Sequence, residues 1–377
     1  MNAKVTAVAI GADRIFHSMQ GLHCYDPITT DRTLLRALLE RDEVARRACS
    51  SWLDTADFVH LNEGIRRLLP LLYSRISSWD LQHPSRQHLK EVYLHYWVLD
   101  QKLRRQLNAA TNALASLDSP IVLLKGLALG EACYTQTACR PSSDIDLLVN
   151  SAVFDTAISK LLEAEFIVKS EGFHATLLTR RDVPELDIHR SPYHEAFSTT
   201  LVAPLFERLI LISGGRPDLF RLGDEDQLLH SISHGLRPNV VSPLRWIVDA
   251  VFQLRKSANT FDWDLFVGEA ERLNLKEAAL QGLEIIDTVV GGVVDNQAIR
   301  RLTVQSSNVT RLQFSKERNV KGPATFWYQT MRSESFADRL QLLGGVLRRI
   351  WREKGTLHIL KRSAYWLAYY AKNRTLG

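Results

Sequence analysis

Two aspartates, Asp144 and Asp146, stand in the run DIDLLV at residues 144–149, where every other side chain is apolar. If the run is a strand, side chains two apart share a face, so both carboxylates project together with Cβ atoms about 7 Å apart. Carboxylates held that close repel each other unless a cation sits between them. Mg²⁺, or Mn²⁺ in its place, suits such a pair because it takes one or two carboxylates together with phosphate oxygens. A third carboxylate on a neighbouring strand would complete a clamp for two metal ions, one at an attacking oxygen and one at a leaving phosphate. PELDIHR at 184–190 offers Asp187, whose apolar neighbours Leu186 and Ile188 send its side chain alone off the apolar face. Glu185 competes for the role, but it follows Pro184 and is expected at the start of the strand.

Upstream, Gly126 stands where the apolar run IVLL (121–124) gives way to a helical pattern. A helix N-terminus with an unobstructed backbone is a ready anion site, and Lys125 beside it adds a point charge. Arg140, in the loop before the aspartates, can offer a fork of donors to a phosphate. Strand, Lys-Gly, helix, Arg and Asp-x-Asp together form a cradle suited to a metal-bound nucleoside triphosphate. His189 lies two residues beyond Asp187 and shares its face, so it can contact an acceptor or a metal, or orient the carboxylate. Asp226, His230 and His234 fall at i, i+4, i+8, which reads either as a zinc site or as the polar seam of a packed helix. Arg245 and Asp249 are spaced for an intrahelical ion pair or for a role facing the nucleotide.

The elements that must position these residues follow from periodicity. Residues from about 33 to 117 are helical, most clearly where Leu99, Leu103, Leu107, Ala110, Leu114 and Leu117 form one stripe that Asp118-Ser119-Pro120 ends. IVLL, DIDLLV, FIVKS (166–170), HATLLT (174–179) and PELDIHR read as strands, with helices at LALGEACY (127–134) and SAVFDTAISKLLEAEF (151–166) between the first three. Helical periodicity returns in DEDQLLHSISHGL, PLRWIVDAVFQLRK, WDLFVGEAERLN and KEAALQGLEIIDTVVGG. The expected class is α+β: a small mixed sheet flanked by N-terminal and C-terminal helical regions. The expected divisions are a helical region at 1–117, a core at 118–215, a helical domain packed on it at 216–302, and a linker with a basic aromatic tail at 303–377.

The block LLKGLAL, then R-x-x-x-DIDLLV, LDIH, SHG and PLRWIVDA, resembles the uncharacterised nucleotidyltransferase group of the polymerase-β-like superfamily over roughly residues 95 to 290. The resemblance implies a nucleotidyltransferase sheet carrying Asp144, Asp146 and Asp187, with NTP and Mg²⁺ as ligands and Gly126 at the superfamily's glycine turn. Leu127 departs from that pattern, because a second Gly or a Ser usually follows the glycine there. Phosphate binding is therefore expected to lean on Lys125 and Arg140.

The 377 residues are 45% hydrophobic and 24% charged, which fits ordinary globular domains and argues against extended disorder. The four cysteines show no CxxC pair, and no run approaches the length of a membrane span, so a cytoplasmic protein is expected. The net charge of +5 belongs to the tail, where 11 Lys and Arg stand against 3 Asp and Glu from Lys321 onward. Arg348, Arg349, Arg352, Lys361 and Arg362 alternate there with Trp351, Tyr365, Trp366, Tyr369 and Tyr370. Such a pattern suits nucleic acid, an anionic membrane surface, or two helices whose aromatics are core. The functional expectation is transfer of an NMP group from an NTP to an acceptor that is a small molecule, a peptide or protein, or an RNA. The alternatives are a tRNA-modifying toxin of a toxin–antitoxin pair and a catalytically silent nucleotide-binding scaffold.

Overall fold

A computed structural model describes residues 32–172, 174–180, 184–193, 202–212, 219–236 and 244–305. The basic aromatic tail and most of the expected linker lie outside them. Five helices come first: α1 (Arg32–Leu39), α2 (Asp42–Thr55), α3 (Glu63–Arg66), α4 (Leu69–Ser78) and α5 (Arg86–Ala113). The middle of the chain runs β1 (Ile121–Leu123), α6 (Lys125–Cys133), β2 (Asp144–Leu148), α7 (Phe154–Glu163), β3 (Ile167–Glu171), β4 (Ala175–Thr179) and β5 (Glu185–His189). Two short strands follow, β6 (Ile210–Leu211) and β7 (Leu219–Arg221), and then α8 (Asp224–Gly235), α9 (Arg245–Lys256), α10 (Trp263–Arg272), α11 (Lys276–Val289) and α12 (Asn296–Gln305). The fold is α+β. None of its described helices is long and apolar enough to cross a membrane.

The strands form one mixed sheet in the order β3-β4-β5-β2-β1-β7-β6. β2 lies parallel to β5 and antiparallel to β1, which in turn lies parallel to β7. Alternation decides which face is which. Ile145 and Leu147 of β2 and Leu186 and Ile188 of β5 are fully buried in one apolar cluster with Leu103, Ala110 and Leu114 from the α5 end of the chain and Phe154, Ala157 and Leu161 of α7. Because strand side chains alternate, the residues between them, Asp144, Asp146, Asp187 and His189, are left on the opposite face.

A second apolar core unites the N-terminal helices with the C-terminal ones, from Leu34, Leu72 and Leu89 to Leu229, Ile247, Phe266 and Leu302. α5 joins the two cores, contributing Leu89 to one and Leu103 and Ala110 to the other. The helix stops at Ala113 rather than carrying its stripe to Leu117. Its last turns tighten there, with Ala115 N–H donating to Asn112 and Leu117 N–H to Leu114 three residues back. α12 runs into the stretch expected as linker, while β6 and β7 are additions that the sequence did not announce.

Candidate active site

The β2–β5 ladder sets the geometry of the acidic cluster. Its parallel register places Asp146 opposite Asp187, Asp144 opposite Glu185 and Leu148 opposite His189. All the acidic side chains of interest therefore leave the same face of the sheet. One ligand atom each from Asp146, Asp187 and His189 lies within 4.8 Å of the other two. Asp144 stands one step along β2 from that trio, with Ser143 donating to its Oδ1 at 3.2 Å. Glu185, the competing carboxylate, is engaged by Lys169 of β3 instead.

Asp146 is the hub. Its side chain is 3% exposed, and its Oδ1 accepts from Lys125 Nζ at 2.5 Å and from His189 Nε2 at 2.9 Å. Burial would raise its pKa, but Lys125 and His189 outweigh burial and hold the carboxyl well below the usual range. Its neighbours move the other way. Burial and the Asp146 charge push Asp144 up, and burial, with Asp146 adding to it and His189 opposing, does the same to Asp187. Burial works against the Lys125 ammonium, yet Asp146, backed by Asp144 and Asp187, keeps its pKa above the ordinary value. Three carboxylates face one ammonium and one imidazole, an excess of negative charge that invites a divalent cation.

Lys125 opens α6 with φ +51°, the left-handed region that non-glycine residues seldom adopt. Gly126 does not share that conformation, so its small size answers a different need. A Cβ there would stand 1.9 Å from Ser142 Oγ and 2.9 Å from Arg140 Nη1. The expectation of an open glycine turn is thus corrected: the loop before β2 closes over Gly126, and the missing Cβ is what lets it do so. Leu127, the departure from the superfamily pattern, is buried in the apolar cluster beneath the sheet.

Arg140 requires a second correction. Its guanidinium is 7% exposed, with Nε 2.9 and 3.0 Å from the two Asp249 oxygens and Nη2 2.8 Å from Oδ2, while Nη1 donates to the Pro141 carbonyl at 3.1 Å. A fork so occupied does not reach for phosphate. Asp249 also accepts from Tyr134 Oη at 2.6 Å, so the i, i+4 pair expected between Arg245 and Asp249 gives way to a tertiary one. Arg245 Nη1 donates to the Pro141 carbonyl at 2.8 Å, and burial beside Arg140 lowers its pKa to about 9. Both arginines therefore hold the loop entering β2 from behind. Asp226 is taken by Arg208, at 2.9 and 3.0 Å, and the trio on β2 and β5 is the one cluster of metal-ligand spacing among the described residues, so the Asp226, His230 and His234 zinc reading falls away.

Residues 65–291, more than half of the chain, match the profile of a family described as uncharacterised nucleotidyltransferase. The chain belongs to that family. This nucleotidyltransferase has no match among curated proteins. The solution structure of the antibiotic-resistance factor ANT(2'')-Ia aligns with it over 46% of this chain and 92% of its own, at 16% identity and a TM-score of 0.33.

Two features of the nucleotidyltransferase site escaped the sequence. Ser142 Oγ is buried over Gly126 without a hydrogen-bond partner among the described residues. Beside it, a cavity of about 470 Å³ opens between α3, α5 and the loop before β2, lined by Arg66, Arg67, Val92, Tyr96, Ser142 and Ser143 among others. The signal that could have found it is the polar pair Ser142-Ser143 held directly before Asp144, but its partners on α3 and α5 lie far away in sequence.

Proposed function

We propose that this nucleotidyltransferase moves an NMP group from an NTP to an acceptor, with Asp144, Asp146 and Asp187 holding Mg²⁺ or Mn²⁺. The observation that carries the reading is the pairing of Asp146 with Asp187 across a parallel ladder, with Asp144 two residues along on the same face. The donor set fits a hard divalent ion, being oxygen-rich and short of positive charge. When bound, such an ion neutralises charge on the phosphorus oxygens and eases departure of pyrophosphate. The remaining work belongs to the chain. Lys125, the first residue of α6, holds its ammonium on Asp146 near the N-terminal end of that helix, where the helix dipole also favours an anion. Asp187, a quarter exposed on the same face as Asp146, is placed to take the proton of an attacking hydroxyl.

The cavity beside Ser143 is the natural entrance for the acceptor, since Ser143 both lines it and hydrogen-bonds Asp144. Its volume suits one small molecule or a single residue of a larger one. Its charges balance, Arg66 and Arg67 against Glu63 and Glu91, unlike the unopposed basic stripe a polyanion demands. That balance favours a small polar acceptor or a protein side chain over RNA.

Incubation with labelled NTPs, Mg²⁺ or Mn²⁺ and a fractionated cell extract tests both parts. Label should pass to a small-molecule or protein fraction and pyrophosphate should be released. Transfer that persists undiminished in Asp146→Asn removes the assignment of the carboxylates. Label on RNA alone, with growth arrest on expression, transfers the case to the toxin reading, and NTP binding without pyrophosphate release to the scaffold reading.

A further inference from the structure

His189 does more than border the acidic pair. It closes β5 on the same face as Asp187, its side chain is 4% exposed, and its Nε2 stands 2.9 Å from Asp146 Oδ1 and 3.5 Å from Asp187 Oδ2. A histidine needed only to orient Asp146 has no reason to face both carboxylates at once. This one sits in the gap between them, where a shared cation would be drawn. His189 Nε2 is 2.9 and 3.5 Å from the two carboxylates, inside the roughly 4 Å that separates ligands on opposite sides of one ion with bonds of about 2.0–2.2 Å. The three ligand atoms, within 4.8 Å of one another, need only a small closure to share it. Asp144, although on the same face, is not one of the three.

The chemistry of the donors then bears on the metal. Mg²⁺ prefers oxygen and keeps its waters, whereas imidazole nitrogen is accepted more readily by first-row transition ions. We infer that His189 supplies a nitrogen ligand to an ion shared with Asp146 and Asp187, and that this position selects Mn²⁺ over Mg²⁺. Asp144 then serves only the second ion, the one that arrives with the NTP phosphates. Lys125 Nζ shares Asp146 Oδ1 with His189, so both donors occupy the oxygen that the ion would claim. Filling the site therefore requires His189 Nε2 to exchange its carboxylate contact for the metal.

The inference rests on the nucleotidyltransferase reading for its carboxylates, but its test is read without any reaction. The full-length protein is loaded with Mn²⁺ alone and examined by pulsed electron paramagnetic resonance. Wild type should show ¹⁴N coupling from a directly bound imidazole. His189→Gln should lose that coupling and bind Mn²⁺ about tenfold or more weakly, with a much smaller change in Mg²⁺ affinity. Asp144→Asn should keep the coupling. Bound Mn²⁺ without ¹⁴N coupling in wild type, or coupling that survives in His189→Gln, overturns the inference. So does failure of wild type to bind Mn²⁺ more tightly than Mg²⁺. Because the wild-type spectrum needs no variant, a misfolded His189→Gln does not protect the idea. Absence of nucleotidyl transfer with ¹⁴N coupling intact would count against the proposed reaction and leave the metal site standing.

Discussion

Two polar clusters lie on either side of the loop that enters β2, and they are built on opposite plans. Behind the loop, Asp249 is matched: the Arg140 guanidinium lies along it and the Tyr134 phenol completes its hydrogen bonds, with Asp249 1% exposed and Arg245 beside them donating to the Pro141 carbonyl. In front of the loop, Asp144, Asp146 and Asp187 outnumber Lys125 and His189. A buried charge that has found its partner is a structural joint. A group of charges that has not been balanced implies a ligand.

The largest expected effect comes from removing charge at the unbalanced cluster. Asp144→Asn takes away a carboxylate whose ionised form is disfavoured by burial and by Asp146. The fold should be unchanged or slightly more stable, while transfer should fall roughly a thousandfold, the scale of losing one electrostatic contact to a reaction's transition state. Thermal unfolding measured beside pyrophosphate release checks both signs. A variant that loses stability along with activity would mean that Asp144 belongs to the structural kind of cluster.

Asp249→Ala should invert that pattern. It strands the Arg140 guanidinium in a site with 7% exposure, and breaking a buried pair by deleting one partner costs about 3–5 kcal/mol. Denaturant unfolding should show that loss. The residual folded fraction should retain NTP binding, because neither side chain then contacts the phosphate. If instead stability is kept and NTP affinity falls, Arg140 reaches the nucleotide after all.

What could be read from the chain and what could not divides along the same line. Asp187 was legible because Leu186 and Ile188 flank it, and a two-residue period fixes the face of every residue in a short strand. The same reasoning located β2 and β5, while β1 was legible as a short β-branched apolar run bounded by Pro120 and Lys125-Gly126. Arg140 was misread because its partner is 109 residues further on, and local sequence cannot tell a donor awaiting phosphate from one already matched. Ser142 was invisible for a similar reason: its place over Gly126 follows from how the loop folds back, not from any spacing. β6 and β7, at two and three residues, are too short for periodicity to register. Their position comes from β7 pairing with β1.

Gly126 is where the two clusters meet, with Ser142 and Arg140 both packed against it. Gly126→Ala offers the smallest but most discriminating test. Alanine should favour the helix by about 0.5–1 kcal/mol, yet its methyl would overlap Ser142 Oγ and crowd Arg140 Nη1, and overpacking of this kind costs about 1–3 kcal/mol. The net loss should be modest. Adding Ser142→Gly removes both serine atoms from the contact and should restore part of the stability, with Arg140 Nη1 at 2.9 Å limiting the recovery. Activity should respond differently. If the Ser142 hydroxyl is only a spacer, the double variant should regain transfer in step with stability. Stability regained without transfer would instead place Ser142 with the cluster in front of the loop, as a donor held ready for phosphate.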